Sequence, residues 1–219
     1  MKEYPEVKPV DIAADLAVHG SKTYTLRKLS AIKRIVVHTT DWDTSPQRLA
    51  KYDIGPNHIS KTGCPAITYH EIVMKDGVVY KTLPYEQVSW HVGPWNGSSL
   101  GVALMFRVSD DKGKDSYAPD LNQLKALQTR LGQLCMDLGL TPDCVVGHRE
   151  LKGTGWFMFK GSRRLRKTCP GLQVDLDQLR TNVALYMQIM LKTLGWELEL
   201  DGVFGPKSRA AFAAYLRRR

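Results

Sequence analysis

Residues 32–40 read IKRIVVHTT, and this stretch decides the fold. From Ile32 to His38 the pattern is β-branched and nearly continuous, the mark of a strand buried on both faces of a sheet. It closes in His38-Thr39-Thr40, at the kind of strand end where ligands are presented. Downstream, Ser45-Pro46 supplies an N-cap and a first-turn proline for a helix to about Asp53, before Gly55-Pro56. Ile67 to Met74 reads as a strand, and Asp76-Gly77 is a hairpin signal into Val78 to Lys81. Residues 84–99, rich in Gly, Ser, Trp, Pro and Asn, read as a cleft loop, and Leu100 to Val108 as a further strand. Pro119 then opens a long helix with Leu121, Leu124, Leu127, Leu131, Leu134 and Leu138 on one stripe, ended by Gly139.

The order strand, helix, hairpin, strand, helix, strand predicts an α/β domain with a mixed central β-sheet flanked by helices. Ahead of it, residues 1–30 are polar and broken by Pro5, Pro9 and Gly20, an extended lead-in with a short helix around Asp11 to Val18. From about Asp175 the texture changes. Leu176 to Leu194 is amphipathic and closed by Gly195, and a Gly-rich turn leads into a short helix begun by Pro206. The predicted organisation is a lead-in over 1–30, a main domain over 31–174 and a small C-terminal helical unit over 175–219.

Composition bounds what such a chain does. Its 219 residues, 43% hydrophobic and 24% charged, suit one ordinary domain with an appendage and a core that needs no disulfides. Four cysteines without a CxxC pair exclude a disulfide framework, a zinc finger and a thioredoxin motif. The N-terminus, MKEYPEVKPVDIAADL, has no apolar run of signal-peptide length, and no stretch is long enough to span a bilayer. The expectation is a protein made in the cytosol and not exported by the ordinary route. A net charge of +9 favours an anionic partner: nucleic acid, a membrane surface or bacterial cell wall. Much of the excess lies in Arg163 to Lys167 and Arg217 to Arg219, where a solvated basic surface explains it equally well.

The stretch Gly147 to Gly171, GHRELKGTGWFMFKGSRRLRKTCPG, opens on a histidine that follows the apolar run Cys144-Val145-Val146 and ends on a cysteine boxed by Lys167, Thr168 and Pro170. His38, His148 and Cys169, each at an element end, are donors that hold zinc and leave a fourth position open. Spacing alone does not decide this. A histidine at a strand end is also structural, and a cysteine before Pro-Gly is also a buried thiol. Cys135, beside the leucine stripe, and Cys144 read as buried thiols.

The words IVVHTT, TYHEIV, SSLGVAL, VVGHRE and KTCPG resemble, in this order, the zinc-dependent N-acetylmuramoyl-L-alanine amidases, a family that includes phage lysozymes acting as amidases and the peptidoglycan-recognition proteins. The resemblance covers about residues 30–172. It implies that His38, His148 and Cys169 hold Zn2+ and that Tyr69 and Lys167 are catalytic. The bond cut would join the lactyl group of N-acetylmuramic acid to the L-alanine of the stem peptide, by zinc-assisted water attack. The chemistry of the residues agrees, since amide hydrolysis builds negative charge on a carbonyl oxygen, and a well-placed donor there is worth roughly 3–4 kcal/mol. Tyr69 and His70 are strand neighbours on opposite faces, so a metal facing Tyr69 excludes His70 as a ligand. Glu150 is open between a general base and an ion pair with a nearby arginine. His91 and Asn96, in WHVGPWNGSSLGV, resemble cleft positions that meet glycan or peptide. Trp90 and Trp95 stack on sugars or pack. His19 and His58 fall in no matching word and read as surface residues.

Two stretches depart from the pattern. Between His148 and Cys169 lies an aromatic, basic insertion, GTGWFMFKGSRR, longer than the family's loop and suited to lining the cleft. The assignment of Lys167 therefore rests on counting back from Cys169. The segment LKTLGWELELDGVFGPKSRAAFAAYL resembles the core of a small helical peptidoglycan-binding domain, with Asp201, Gly202, Gly205 and Ser208 at its turn and helix start. Tyr215-Leu216 replaces that family's Phe-Gln. The segment is a wall anchor or a helical hairpin completing the fold.

The expected protein is an endolysin of phage type, a monomer held in the host cytoplasm until lysis and then acting on cell-wall peptidoglycan, without nucleic acid and without membrane insertion. The rival readings are a non-catalytic peptidoglycan-binding protein and a bacterial autolysin or wall-recycling amidase. Cys169 separates them: family members that only bind tend to lose it, and recycling relatives commonly carry Asp as third ligand. A nucleic-acid binder rests on charge alone and would show steep salt dependence.

Overall fold

In a computed structural model, residues 6–110, 114–151, 156–159, 162–165 and 168–219 are described, those of 156–159 and 162–165 by backbone alone. A six-stranded mixed sheet runs in the order β1-β4-β3-β5-β2-β6. Its strands are β1 (Val10–Asp11), β2 (Arg34–Thr39), β3 (Glu71–Val73), β4 (Val79–Lys81), β5 (Ser99–Leu104) and β6 (Val145–Gly147). Ile35, Val36 and Val37 of β2 are fully buried, as an unbroken apolar run requires. β2 lies between β5 and β6, parallel to both. β3 is parallel to β5 and forms the expected antiparallel hairpin with β4, across a turn where Gly77 has φ 92° and Val78 N–H donates to the Asp76 carboxylate.

Alternate residues of the strands feed two apolar clusters. On one face Ile35, Val37, Val73, Val102 and Leu104 pack with Leu127, Leu131 and Leu134 of α2 (Leu121–Leu138). On the other, Ile72, Ala103 and Met105 pack with Leu49 and Ala50 of α1 (Pro46–Ile54) and with Ile12, Leu16 and Tyr24 of the lead-in. α1 starts as predicted, with Ser45 Oγ accepting from Arg48 N–H, and α2 ends at Gly139 in the left-handed conformation. Leu121, first of the predicted stripe, is 66% exposed. Cys135 is buried beside the stripe and Cys144 is half-buried.

Three elements differ in extent from the sequence pattern. The lead-in contributes a two-residue edge strand parallel to β4 and a single 3-10 turn, Ala13–Asp15, where a short helix is predicted. Residues 67–70 stay out of the ladder of β3, because Thr68 N–H and its hydroxyl both donate to Asp53 Oδ2, at 2.9 and 3.0 Å. β5 stops at Leu104, and beyond it Val108 and Ser109 N–H both donate to Asp41 Oδ1.

A buried ion pair ties the sheet to α2. The Arg130 guanidinium grips the Glu71 carboxylate through Nε (3.0 Å) and Nη2 (2.8 Å). The Tyr85 hydroxyl donates to the same carboxylate and accepts from Arg130 Nη2.

The C-terminal residues form α3 (Leu176–Thr193), capped by Asp175 accepting from Asp177 and Gln178 N–H, and α4 (Pro206–Arg218). α3 lies along α2, and Leu179, Val183, Tyr186, Met187 and Leu191 join the same apolar cluster as the sheet, as do Phe204 and Phe212. The helices cross where Gly132 faces Tyr186. A Cβ at Gly132 would stand 2.3 Å from the tyrosine ring. Among the described residues no helix is long and apolar enough to cross a membrane.

Candidate metal centre and cleft

The centre is built by the ends of two neighbouring parallel strands. Val37 of β2 is in register with Gly147 of β6, so the next residue along each chain, His38 and His148, emerges side by side. Their ring centroids are 4.7 Å apart at 65°, and both residues are buried. Cys169 arrives from a third direction, after the antiparallel pair β7 (Trp156–Phe159) and β8 (Ser162–Leu165). Its Sγ lies 3.6 Å from His38 Nδ1 and accepts from Thr39 N–H at 3.3 Å.

Arg149 closes this arrangement. Its backbone N–H donates to Cys169 O at 2.9 Å. Its guanidinium donates to the carbonyls of Thr168, Gly171 and Val174. The clamp returns the chain to His148 after the excursion through β7 and β8. Leu176 of α3 presses on Gly147 from behind, where a Cβ would be 2.5 Å from its Cδ1. Arg180 of α3 bridges to Glu150 at 3.0 and 3.1 Å, and the same carboxylate accepts from Gly147 N–H. The second reading of Glu150, an ion pair with an arginine, is therefore the one seen.

These side chains floor an open cleft of about 700 Å³, with Thr40, Asp41, Ser109, Asp115 and Trp90 on its walls. The Tyr69 ring lies 5.1 Å from that of His38. Burial, with the nearby Cys169 sulfur, holds its hydroxyl well above the usual phenol range, so it stays a neutral donor. His70 points away from Cys169, although it lies ahead of β3 rather than within it: its Nδ1 accepts from Gly101 N–H and its ring faces Gln87 O. Burial lowers its pKa to about 3, so it remains neutral. His91 is buried at the floor, with Nδ1 2.9 Å from His38 Nε2. The Asn96 side chain is turned into its own loop, where Oδ1 accepts from Val92 N–H at 2.7 Å, and Trp95 is covered by Arg34 at 4.4 Å. His58 is on the surface, as predicted, but at the cleft rim. Lys167 and the predicted insertion's side chains lie outside the described residues.

A smaller side pocket of about 450 Å³ opens from the cleft past Thr40, His58, Ile59 and Tyr69, walled by Trp42, Leu49 and Tyr52. At its base Asp53 is buried, and burial raises its pKa to about 6 against the pull of its two hydrogen bonds from Thr68. No local signal marked Asp53, Arg149 or Asp41 as important, since their partners are backbone groups and the distant hydroxyls of Thr68 and Ser109.

The donor atoms of His38, His148 and Cys169 lie within 4.8 Å of one another. A tetrahedral zinc with Zn–N of about 2.0–2.1 Å and Zn–S of about 2.3 Å separates its nitrogen and sulfur ligands by about 3.6 Å. The observed separation of His38 Nδ1 and Cys169 Sγ is 3.6 Å. Donor set and spacing are those of a cluster that could hold a metal ion.

Comparison with known proteins shows the family and the fold. The family model for N-acetylmuramoyl-L-alanine amidase matches residues 28–172. No curated protein sequence matches the chain. Among solved structures, the amidase LysC from Clostridium intestinale URNW is 18% identical with a TM-score of 0.56, over 80% of this chain and 98% of that one. The Ph2119 endolysin from Thermus scotoductus MAT2119 bacteriophage Ph2119 is 23% identical with a TM-score of 0.57, over 80% and 99%. Drosophila peptidoglycan recognition protein SD is 19% identical with a TM-score of 0.56, over 77% and 91%. At these identities the structures share the fold.

Proposed function

The chain belongs to the N-acetylmuramoyl-L-alanine amidase family, and on that premise we propose that it is a zinc-dependent endolysin. It cleaves the amide between N-acetylmuramic acid and L-alanine in bacterial peptidoglycan. The observation that carries this reading is the convergence of His38, His148 and Cys169 on the floor of an open cleft. Zinc held by His38, His148 and Cys169 would supply Lewis-acid chemistry suited to amide hydrolysis near neutral pH. The protein's own residues do the rest. Tyr69, kept neutral by burial and with its ring 5.1 Å from that of His38, is assigned to donate to the oxygen that gains charge. Lys167, two residues before Cys169, is assigned the same task by family resemblance. Trp90, 37% exposed on the cleft wall, offers a face for a sugar ring.

The C-terminal unit is proposed as a wall contact fused to the amidase domain. Support comes from its resemblance to peptidoglycan-binding units and from an open groove beside Trp196, flanked by Lys192 and Lys207. The protein acts as a monomer on the wall once the host membrane is breached.

The test is chemical. Digestion of purified peptidoglycan should expose new alanine amino termini and no new reducing ends. A chelator should stop it and Zn2+ restore it. Cys169→Ser should lose zinc while keeping its far-UV spectrum. Release of reducing sugars, or undiminished alanine release from metal-free protein, would overturn the assignment.

A further inference from the structure

We propose that His91 is a positioning residue for the metal centre: it holds the His38 ring in the one tautomer and orientation that turns Nδ1 toward the ion. The inference rests on the zinc reading above and concerns how this chain prepares its ligand.

His38 presents two edges to two different partners. Nδ1 faces Cys169 Sγ at 3.6 Å, and Nε2 faces His91 Nδ1 at 2.9 Å. A neutral imidazole carries one N–H, so one nitrogen donates and the other accepts. For Nδ1 to hold a metal its lone pair must be free, which puts the hydrogen on Nε2. His91 Nδ1 is then the acceptor. A hydrogen bond of this kind on the far nitrogen fixes the tautomer and ring orientation of a ligating histidine and raises its basicity.

His91 is itself held in place. Its ring lies against Gly101, where a Cβ would meet Nδ1 at 2.8 Å and Cγ at 2.9 Å, so glycine is what admits the ring. The loop carrying it is pinned by Val92 N–H donating to Asn96 Oδ1. Arg27 Nη1 donates in turn to the carbonyls of Asn96 and Ser99, at 2.8 and 2.6 Å. His70 closes the other side, with ring centroids 5.8 Å apart.

The same geometry separates positioning from substrate contact. His91 lines the cleft floor, but its Nδ1 is engaged with His38. Its Nε2 is shielded from solvent, so neither ring nitrogen is exposed to a molecule in the cleft. Asn96 belongs to the same support.

The experiment measures zinc affinity of the full chain by competition with a chromophoric chelator, on wild type, His91→Ala and His91→Asn. An asparagine Oδ1 takes the place of Nδ1 as an acceptor. His91→Ala should bind zinc about 10–100-fold more weakly, the usual effect of removing such an outer partner, and His91→Asn should recover most of the loss. Wild-type zinc affinity in His91→Ala, with only the KM for peptidoglycan fragments raised, would overturn the proposal in favour of substrate contact. A wild-type protein that binds no zinc would remove the zinc reading itself, a separate result. Should His91→Ala not fold, nitrogen-15 spectra of the metal-free wild type serve. His38 in the Nε2–H form supports the assignment, and a dominant Nδ1–H form refutes it.

Discussion

Replacing Arg130 with methionine tests how the sheet is held beneath the site. Glu71 is fully buried and the Arg130 side chain is only 10% exposed. Burial opposes the charge on Arg130, but the Glu71 carboxylate and Tyr85 outweigh it and hold the guanidinium charged more firmly than in water. Methionine keeps the aliphatic volume and removes both charge-assisted bonds, leaving the carboxylate with the Tyr85 hydroxyl alone. Breaking a buried pair in this way costs about 3–5 kcal/mol, a large share of the roughly 5–15 kcal/mol that a domain possesses. The deficit of Arg130→Met is read at pH 7.5, where the carboxylate has lost its counter-charge. Adding Glu71→Gln should restore at least about 2 kcal/mol at pH 7.5, because the unpaired charge is gone. Urea unfolding followed by circular dichroism reads the wild type, the two single variants and the double variant. A loss below about 1 kcal/mol in Arg130→Met, or a double variant as unstable as the sum of the single ones, would refute the reasoning.

Three further outcomes are expected. Asp53→Asn keeps an acceptor for Thr68. Because burial raises the Asp53 pKa to about 6, the wild type loses stability as pH rises from about 4 to 6, whereas the variant stays flat and is the more stable chain at pH 7.5; parallel profiles in urea titrations would show that Asp53 is not the cause. Arg149→Ala releases the carbonyls of Thr168, Gly171 and Val174 and should weaken zinc binding about 10–100-fold by chelator competition, while unchanged affinity would mean that Cys169 is held without the clamp. Ending the chain after Gly171 exposes the partners of Leu179, Val183, Met187 and Leu191, all buried; at roughly 1.5–3 kcal/mol for each burial the loss rivals the whole stability, so a soluble 1–171 fragment that unfolds cooperatively in urea would contradict the apolar cluster shared by the sheet and α3.

How much of this was legible in the chain depended on whether the determinant was local. The run Ile35-Val36-Val37 announces a doubly buried strand by composition alone, and Ser45 and Gly139 mark helix ends because capping is a matter of a few adjacent residues. β1 was not legible. Both its residues are exposed, and what makes it a strand is backbone pairing with β4, which leaves no side-chain pattern. Residues 67–70 look like strand by composition, but the Asp53 carboxylate claims the Thr68 amide, a competition that only the fold reveals. In the site, His38 and His148 were visible as the ends of apolar runs. Their adjacency was not, because it follows from the register of Val37 with Gly147. Arg149 was invisible for a related reason: its guanidinium partners are carbonyls, which carry no residue identity.

That register also explains why the C-terminal helix bears on the chemistry. β6 is an edge strand of three residues, too short to fix the direction of His148 by pairing on one side alone. The turn that follows it is gripped from two other directions. Arg149 anchors it to the Cys169 loop and to Val174. Leu176 fills the space left by the missing Cβ of Gly147, and Arg180 holds Glu150. The sequence texture changes near Asp175, yet the contacts that aim His148 come from both sides of that point. A ligand geometry held within a few tenths of an ångström needs supports that are themselves packed. Here half of those supports belong to α3, so the helix that resembles an appendage in sequence is part of what sets the metal centre.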